Sequence, residues 1–243
     1  MEPLQQSCYN RKVDTPEARA LKVHHILLET YGQPEWRVRL PPLDELISTI
    51  LSQNTNDINR DRAFHALKAA FPSWERVRDA KLADVVEAIR PAGLANRKGP
   101  RIQAVLRQIT QERGRLELDF LLHLKPEEVR AWLLRFKGVG PKTAAIVMLF
   151  SLDMPAFPVD THIYRVTGRL GLRPRRISAE KAHQVLSDLF PPKTYYTAHL
   201  NLIRHGREVC QAQRPACERC VLQSSCEYYQ DLIAGSENNG AKD

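Results

Sequence analysis

The residues best suited to covalent chemistry lie between Leu133 and Arg165. Lys142 follows a Gly138-Val139-Gly140 turn and Pro141 at the start of an apolar helical run, and Asp160 opens the next helix eighteen residues later. At a helix N-terminus the aligned peptide dipoles disfavour a cation, and partial desolvation lowers a lysine's pKa further. A neutral amine there is a nucleophile able to form a Schiff base with an aldehyde carbon. The competing use of Lys142 is to hold a phosphate. Asp160 stands where aspartate serves as a helix cap. A cap also fixes the carboxylate, which could then activate the lysine or stabilise positive charge developing on a sugar ring. His162 could line the same cleft, although packing or solvent contact is the ordinary role of a lone histidine.

Glycines at 138 and 140, with Val139 between them, permit dihedrals and close approach that a Cβ forbids. The N–H groups of such a turn and of the following helix start can receive a phosphate oxygen. An ordinary helix–helix corner would use the same glycines. A second constellation is Cys210, Cys217, Cys220 and Cys226, separated by six, two and five residues. Four thiolates in one short loop can wrap tetrahedral zinc or an iron–sulfur cluster. One close pair with two outliers suits a [4Fe-4S] cluster better than the two close pairs usual for structural zinc. Arg207, Arg214 and Arg219 surround this loop and could turn positive charge toward a phosphate backbone. The polar run Gln53-Asn54-Thr55-Asn56-Asp57 follows an apolar helix. Amides in such a loop can fill the gap left by an extruded base, while Asn56 and Asp57 read as caps. The basic runs Arg97-Lys98-Arg101 and Arg173-Arg175-Arg176 read as solvated faces.

Helices must position all of these groups. Thr15-Pro16-Glu17 combines a capping hydroxyl, proline at the first helical position and an acid in the first turn, and that helix runs to Gly32. Apolar periodicity predicts further helices over 43–52, from the polar insert to Phe71, over 74–79 and 82–89, and from Lys98 to Glu112. Pro126 opens the helix before the glycine turn, and others follow over 160–170, 178–190 and 195–207. No alternating strand pattern and no repeat of 20–50 residues interrupts this series, so the class is all-α.

The 243 residues can bury a core in one large or two small domains, and 43% of them are hydrophobic. Lysine and arginine outnumber acids by 36 to 28, a balance that favours a polyanionic partner, nucleic acid first. No apolar run approaches the roughly 18 residues that span a bilayer, and the N-terminus lacks the apolar core of an export signal. Four of five cysteines fall within the last 34 residues, which in a reducing compartment points to metal rather than disulfides, with Cys8 a bystander.

Together these motifs resemble the endonuclease III branch of the helix-hairpin-helix DNA glycosylases, over about residues 15–230. The run from Phe136 to Ala144 resembles the hairpin that carries the catalytic lysine, and the run from Val159 to Val166 resembles the segment with the catalytic aspartate. The cysteine spacing matches the family's cluster loop at every interval, so the resemblance implies a [4Fe-4S] cluster on Cys210, Cys217, Cys220 and Cys226. It further implies two helical domains with a cleft between them: a six-helix domain over 44–154, an iron–sulfur domain from 15–43 and 155–232, and flexible tails at 1–14 and 233–243. Lys142 would displace a damaged base and nick the strand through its Schiff base, with Asp160 assisting. Gln53, Asn54, Gly138, Val139, Gly140, His162 and Arg214 would contact DNA. The expected partner is damaged double-stranded DNA, bound by a monomer in the cytoplasm at the nucleoid, with no membrane contact. Oxidised pyrimidines are the first expected substrate. The stretch 97–170 also resembles plant 5-methylcytosine excision enzymes, which keeps modified cytosines open. Two departures stand out. Lys137 occupies the place of the usual proline, and Asn54 the place of the family's base-replacing glutamine, with Gln53 beside it. Rival readings are a non-catalytic DNA-binding module and a redox-responsive DNA sensor.

Overall fold

The computed structural model describes residues 15–36 and 39–239, with side chains to 234. The expected N-terminal tail with Cys8, and the last four residues, lie outside this range. Among the described residues the regular structure is entirely helical. In chain order the α-helices are α1 Pro16–Tyr31, α2 Pro42–Ser52, α3 Asp57–Ala70, α4 Trp74–Asp79, α5 Leu82–Ala88 and α6 Ala95–Arg113. They continue with α7 Pro126–Leu134, α8 Pro141–Phe150, α9 Thr161–Arg169, α10 Ala179–Leu189, α11 Tyr195–Glu208 and α12 Glu227–Asn239.

The helix starts follow from local chemistry. Thr15, Asn56, Ser73, Asp160 and Ser178 each accept a hydrogen bond from the amide three residues on, satisfying one of the orphan donors of a first turn. Gly32 ends α1 at φ +77°, and its N–H donates to Leu28 O. Helix α6 begins earlier than its apolar periodicity predicts, because Leu94 adopts the left-handed conformation at its entry. Helix α12 replaces part of the tail expected from 233 onward, since Tyr228 and Tyr229 pack on the hydrophobic interior and carry the helix with them.

Apolar side chains gather into two cores. The first takes buried residues from Leu43 to Leu152, on α2 through α8. The second joins Ala20, Val23 and Leu27 of α1 to residues from Leu149 to Cys226. Helix α8 belongs to both: Ala144, Val147 and Met148 enter the first core, Leu149 and Phe150 the second. It packs against α2, α7 and α10. Lys142 lies in its first turn.

Candidate active site

The turn between α7 and α8 is built for close approach. Gly138 lies at φ +89°, and a Cβ built on it would stand 2.1 Å from Arg101 Nε. The dihedral favours glycine, and any Cβ here would push the Arg101 side chain aside. Gly140 is the N-cap of α8. The Val139 side chain is buried in the first core and its N–H donates to Phe136 O at 3.0 Å. That corrects the expectation that every amide of the turn points outward: the Val139 donor is spent inside the hairpin.

Lys142 is half-buried in the first turn of α8, and Asp160 is half-buried as the N-cap of α9, with Oδ1 accepting from Ile163 N at 2.7 Å. The segment leading to Asp160 is held by two buried histidines. His183 Nδ1 lies 3.1 Å from Phe157 O, and His199 Nδ1 lies 2.9 Å from Pro158 O. Burial pushes His183 below the ordinary histidine range, and the positive charges of Arg130 and Lys142 add to that push. Lys142 is thus within electrostatic reach of a side chain that fixes the approach to Asp160. His162 has its ring held by neighbours on α9 and α11. Its Nδ1 accepts from Arg165 Nη2 at 3.1 Å, and its side chain packs on Gly206.

The polar insert is tied to the hairpin. Gln53 Nε2 donates to Gly138 O at 3.1 Å, and Arg101 Nη1 donates to Gln53 Oε1 at 2.7 Å. Both ends of the Gln53 amide are therefore engaged, and the exposed side chain at the tip is Asn54, with φ +54°. Sequence reasoning missed Leu94, which is 48% exposed at φ +50°. Its signal was a large apolar residue directly after Gly93. Exposed non-glycine residues held in this conformation concentrate at functional sites. Asp153, at φ +54°, and Arg214, exposed on the cysteine loop at φ +50°, complete the four such residues among those described.

The basic runs are solvated at Arg97, Arg175 and Arg176, as expected, but each also sends one member inward. Lys98 is 2% exposed, and its Nζ donates to Leu51 O and Ala92 O at 2.7 and 2.8 Å. Burial lowers its pKa to about 8. Arg173 is also buried, donating to Tyr164 O and Pro174 O.

Cys210, Cys217, Cys220 and Cys226 line one pocket, together with Arg169, Val209, Tyr228 and Tyr229. Among the described residues no three cysteine, histidine or acidic side chains close into a group that could hold a single metal ion. A tetrahedral zinc with bonds of about 2.3 Å needs its sulfurs within about 4 Å of one another. An iron–sulfur cluster takes four thiolates onto a larger body. The all-cysteine donor set fits the cluster. Arg169 Nη1 lies 3.3 Å from Cys210 Sγ, setting positive charge beside the anionic ligand set. Burial pushes the Cys217, Cys220 and Cys226 thiols up, so loading the cage would release their protons.

Residues 47–192 match the HhH-GPD superfamily of base excision DNA repair proteins. A DNA glycosylase-like protein of Arabidopsis thaliana is 41% identical over 165 residues, 68% of this chain and 56% of that one. Endonuclease III of Thermotoga maritima is 33% identical over 198 residues, 82% of this chain and 88% of its own. A trapped endonuclease III–DNA covalent intermediate superposes with a TM-score of 0.74 at 25% identity, covering 88% of this chain and 98% of the other. The chain belongs to the HhH-GPD superfamily of base excision DNA repair proteins and, within it, to the endonuclease III-like DNA glycosylases.

Proposed function

We propose that this protein removes a damaged pyrimidine, an oxidised one first of all, from duplex DNA and nicks the strand at the resulting abasic site. The observation that carries this reading is the position of Lys142: a half-buried amine at the N-terminus of the helix shared by both cores, directly after the glycine hairpin. In its neutral form Nζ attacks C1′ of the extruded nucleotide, and the bond from C1′ to the base breaks with the electron pair leaving on the base. The amine loses its protons as the sugar ring opens, and the product is a Schiff base. Loss of a C2′ proton then expels the 3′ phosphate by β-elimination, and water releases the enzyme. The Asp160 carboxylate stabilises positive charge on the sugar and assists the proton transfers.

Gly138, Gly140 and the first turn of α8 grip the phosphate backbone, and Arg214 reaches it from the cysteine loop. Asn54 and Leu94 enter the space vacated by the base, one polar and one apolar. The four cysteines hold a [4Fe-4S] cluster, which orders that loop. The enzyme acts as a monomer on chromosomal DNA, in the cytoplasm at the nucleoid. Among the described residues no helix is long and apolar enough to cross a membrane.

Borohydride reduction with an abasic duplex tests the reading. The parent protein is expected to form a covalent complex, and Lys142→Gln to form none while still binding the duplex. A parent protein that traps nothing removes the lyase and leaves only DNA binding.

A further inference from the structure

Helix α6 stands behind the DNA-facing loops, and two of its basic side chains, one turn apart, are turned inward. Lys98 ties the carbonyl of Leu51, at the end of α2, to that of Ala92, just before the Gly93–Leu94 turn. It serves as a C-terminal cap for α2, donating to a carbonyl the helix cannot satisfy itself. Arg101, three residues on, donates to Gln53 Oε1 at 2.7 Å, and Gln53 Nε2 reaches Gly138 O at 3.1 Å. The Arg101 side chain also lies flat on Gly138, where its Cδ would stand 2.3 Å from an added Cβ. The turn glycine is thus packed from behind by the same residue that orients the glutamine.

These contacts join three loops to one helix: the polar insert, the Gly93–Leu94 turn and the hairpin. They also decide between two neighbouring amides. Gln53 cannot follow a base into the duplex without giving up a charge-assisted bond and a carbonyl partner together. Asn54, exposed and with a left-handed backbone, is bound by neither of these two contacts.

We infer that Arg101 is a positioning residue for DNA engagement, which holds Gln53 as a strut against the hairpin so that Asn54 meets the orphaned base in register with the phosphate grip. The inference rests on the function proposed above, because it assumes that the insert and the hairpin face the same duplex.

A double-mutant cycle tests it, read as noncovalent affinity for a duplex carrying an abasic analogue, a measurement that needs no lysine chemistry. Arg101→Met keeps the aliphatic stem, and Gln53→Met removes the strut. Each single change is expected to weaken binding about tenfold, the scale of one charge-assisted hydrogen bond. The double variant is expected to lose no more than either single one, since both remove the same link. The salt dependence adds a second readout. A phosphate-contacting arginine lowers the slope of log affinity against log salt by about one when removed, whereas a positioning residue leaves it unchanged. Additive losses, or a slope reduced by one, would assign Arg101 to the phosphate backbone and overturn the inference. Arg101→Lys, which keeps charge, should bind as poorly as Arg101→Met; full recovery would count equally against it. If Arg101→Met melts with the folded fraction already reduced, Gln53→Met alone decides: unchanged affinity there sinks the strut. Should the parent fail to trap with borohydride while the cycle still couples, the lyase falls and the positioning role stands.

Discussion

The Asp160 carboxylate accepts the Ile163 N–H at 2.7 Å, so its charge and its capping role can be separated by substitution. Asparagine caps a helix about as well as aspartate but carries no charge. Asp160→Asn is therefore expected to leave folding stability within about 0.5 kcal/mol of the parent, while alanine at the same place costs about 1 kcal/mol more. If the ionised carboxylate assists base loss, single-turnover excision by the asparagine variant falls by about 10²–10⁴. Denaturant melts beside excision rates check both halves. An excision rate that follows stability alone, falling in the alanine variant but not in the asparagine one, would reduce Asp160 to a cap. The same separation explains why Asp160 could be read in the sequence at all. Its two roles demand the same residue at the same place, and the demand of the cap is visible in the neighbouring residues.

At the scale of elements, the segment before α9 depends on helices α10 and α11, through His183 on Phe157 O and His199 on Pro158 O. His183 has its pKa lowered from the ordinary 6.5, first by burial and then by Arg130 and Lys142, against which the Phe157 carbonyl and Glu180 pull upward. The sign follows from linkage. The native state binds fewer protons than the unfolded chain once the pH falls below 6.5, so the stability His183 contributes is full above that value and is lost in the acid window below it. His183→Asn is expected to shrink the loss of stability between pH 7 and pH 5, read as the difference between urea midpoints of parent and variant. Equal acid sensitivity in the two proteins would mean that the ring titrates freely. Elements such as these were legible in part. The caps at Thr15, Asn56, Asp160 and Ser178 announced their helices, because an N-cap is a local interaction encoded within four residues. The fates of Lys98 and Arg173 were hidden, because a run of basic residues does not say which of them a helix turns inward. Nor could the engagement of Gln53 be read, since its partners lie 48 and 85 residues away. The Val139 amide was misjudged for a related reason: a Gly-x-Gly pattern sets where the turn is, not which donors it keeps for itself.

At the scale of the whole molecule, the two cores meet along α8, and surface ion pairs bridge the halves at Asp57–Arg207 and Arg39–Asp153, 3.1 and 3.3 Å apart. Exposed pairs of this kind contribute about 0–1 kcal/mol each, so the joint depends on the packing of α8. The cysteine loop is a different case. From Cys210 to Cys226 it contains only short 3₁₀ turns, and its apolar anchors in the second core are Leu222 and Cys226. Arginines tie its backbone: Arg169 donates to Gln211 O and Ala212 O, and Arg219 to Glu208 O. A ligand on the four thiols would cross-link the loop further. Cys217→Ser, which removes one ligand from an exposed turn rather than from the core, is expected to abolish iron and sulfide incorporation and to open the loop to protease between 210 and 226. The first core, whose buried residues run from Leu43 to Leu152, should keep its helical signal and its protection. Affinity for duplex DNA should fall together with a smaller salt slope, because Arg214 is carried by the loop that is lost. Iron analysis, limited proteolysis and salt-dependent binding on one preparation read all three. A loop that stays protected without iron would make the cage self-sufficient and leave the cluster without a structural role. A stoichiometric zinc content in the parent would replace the cluster altogether.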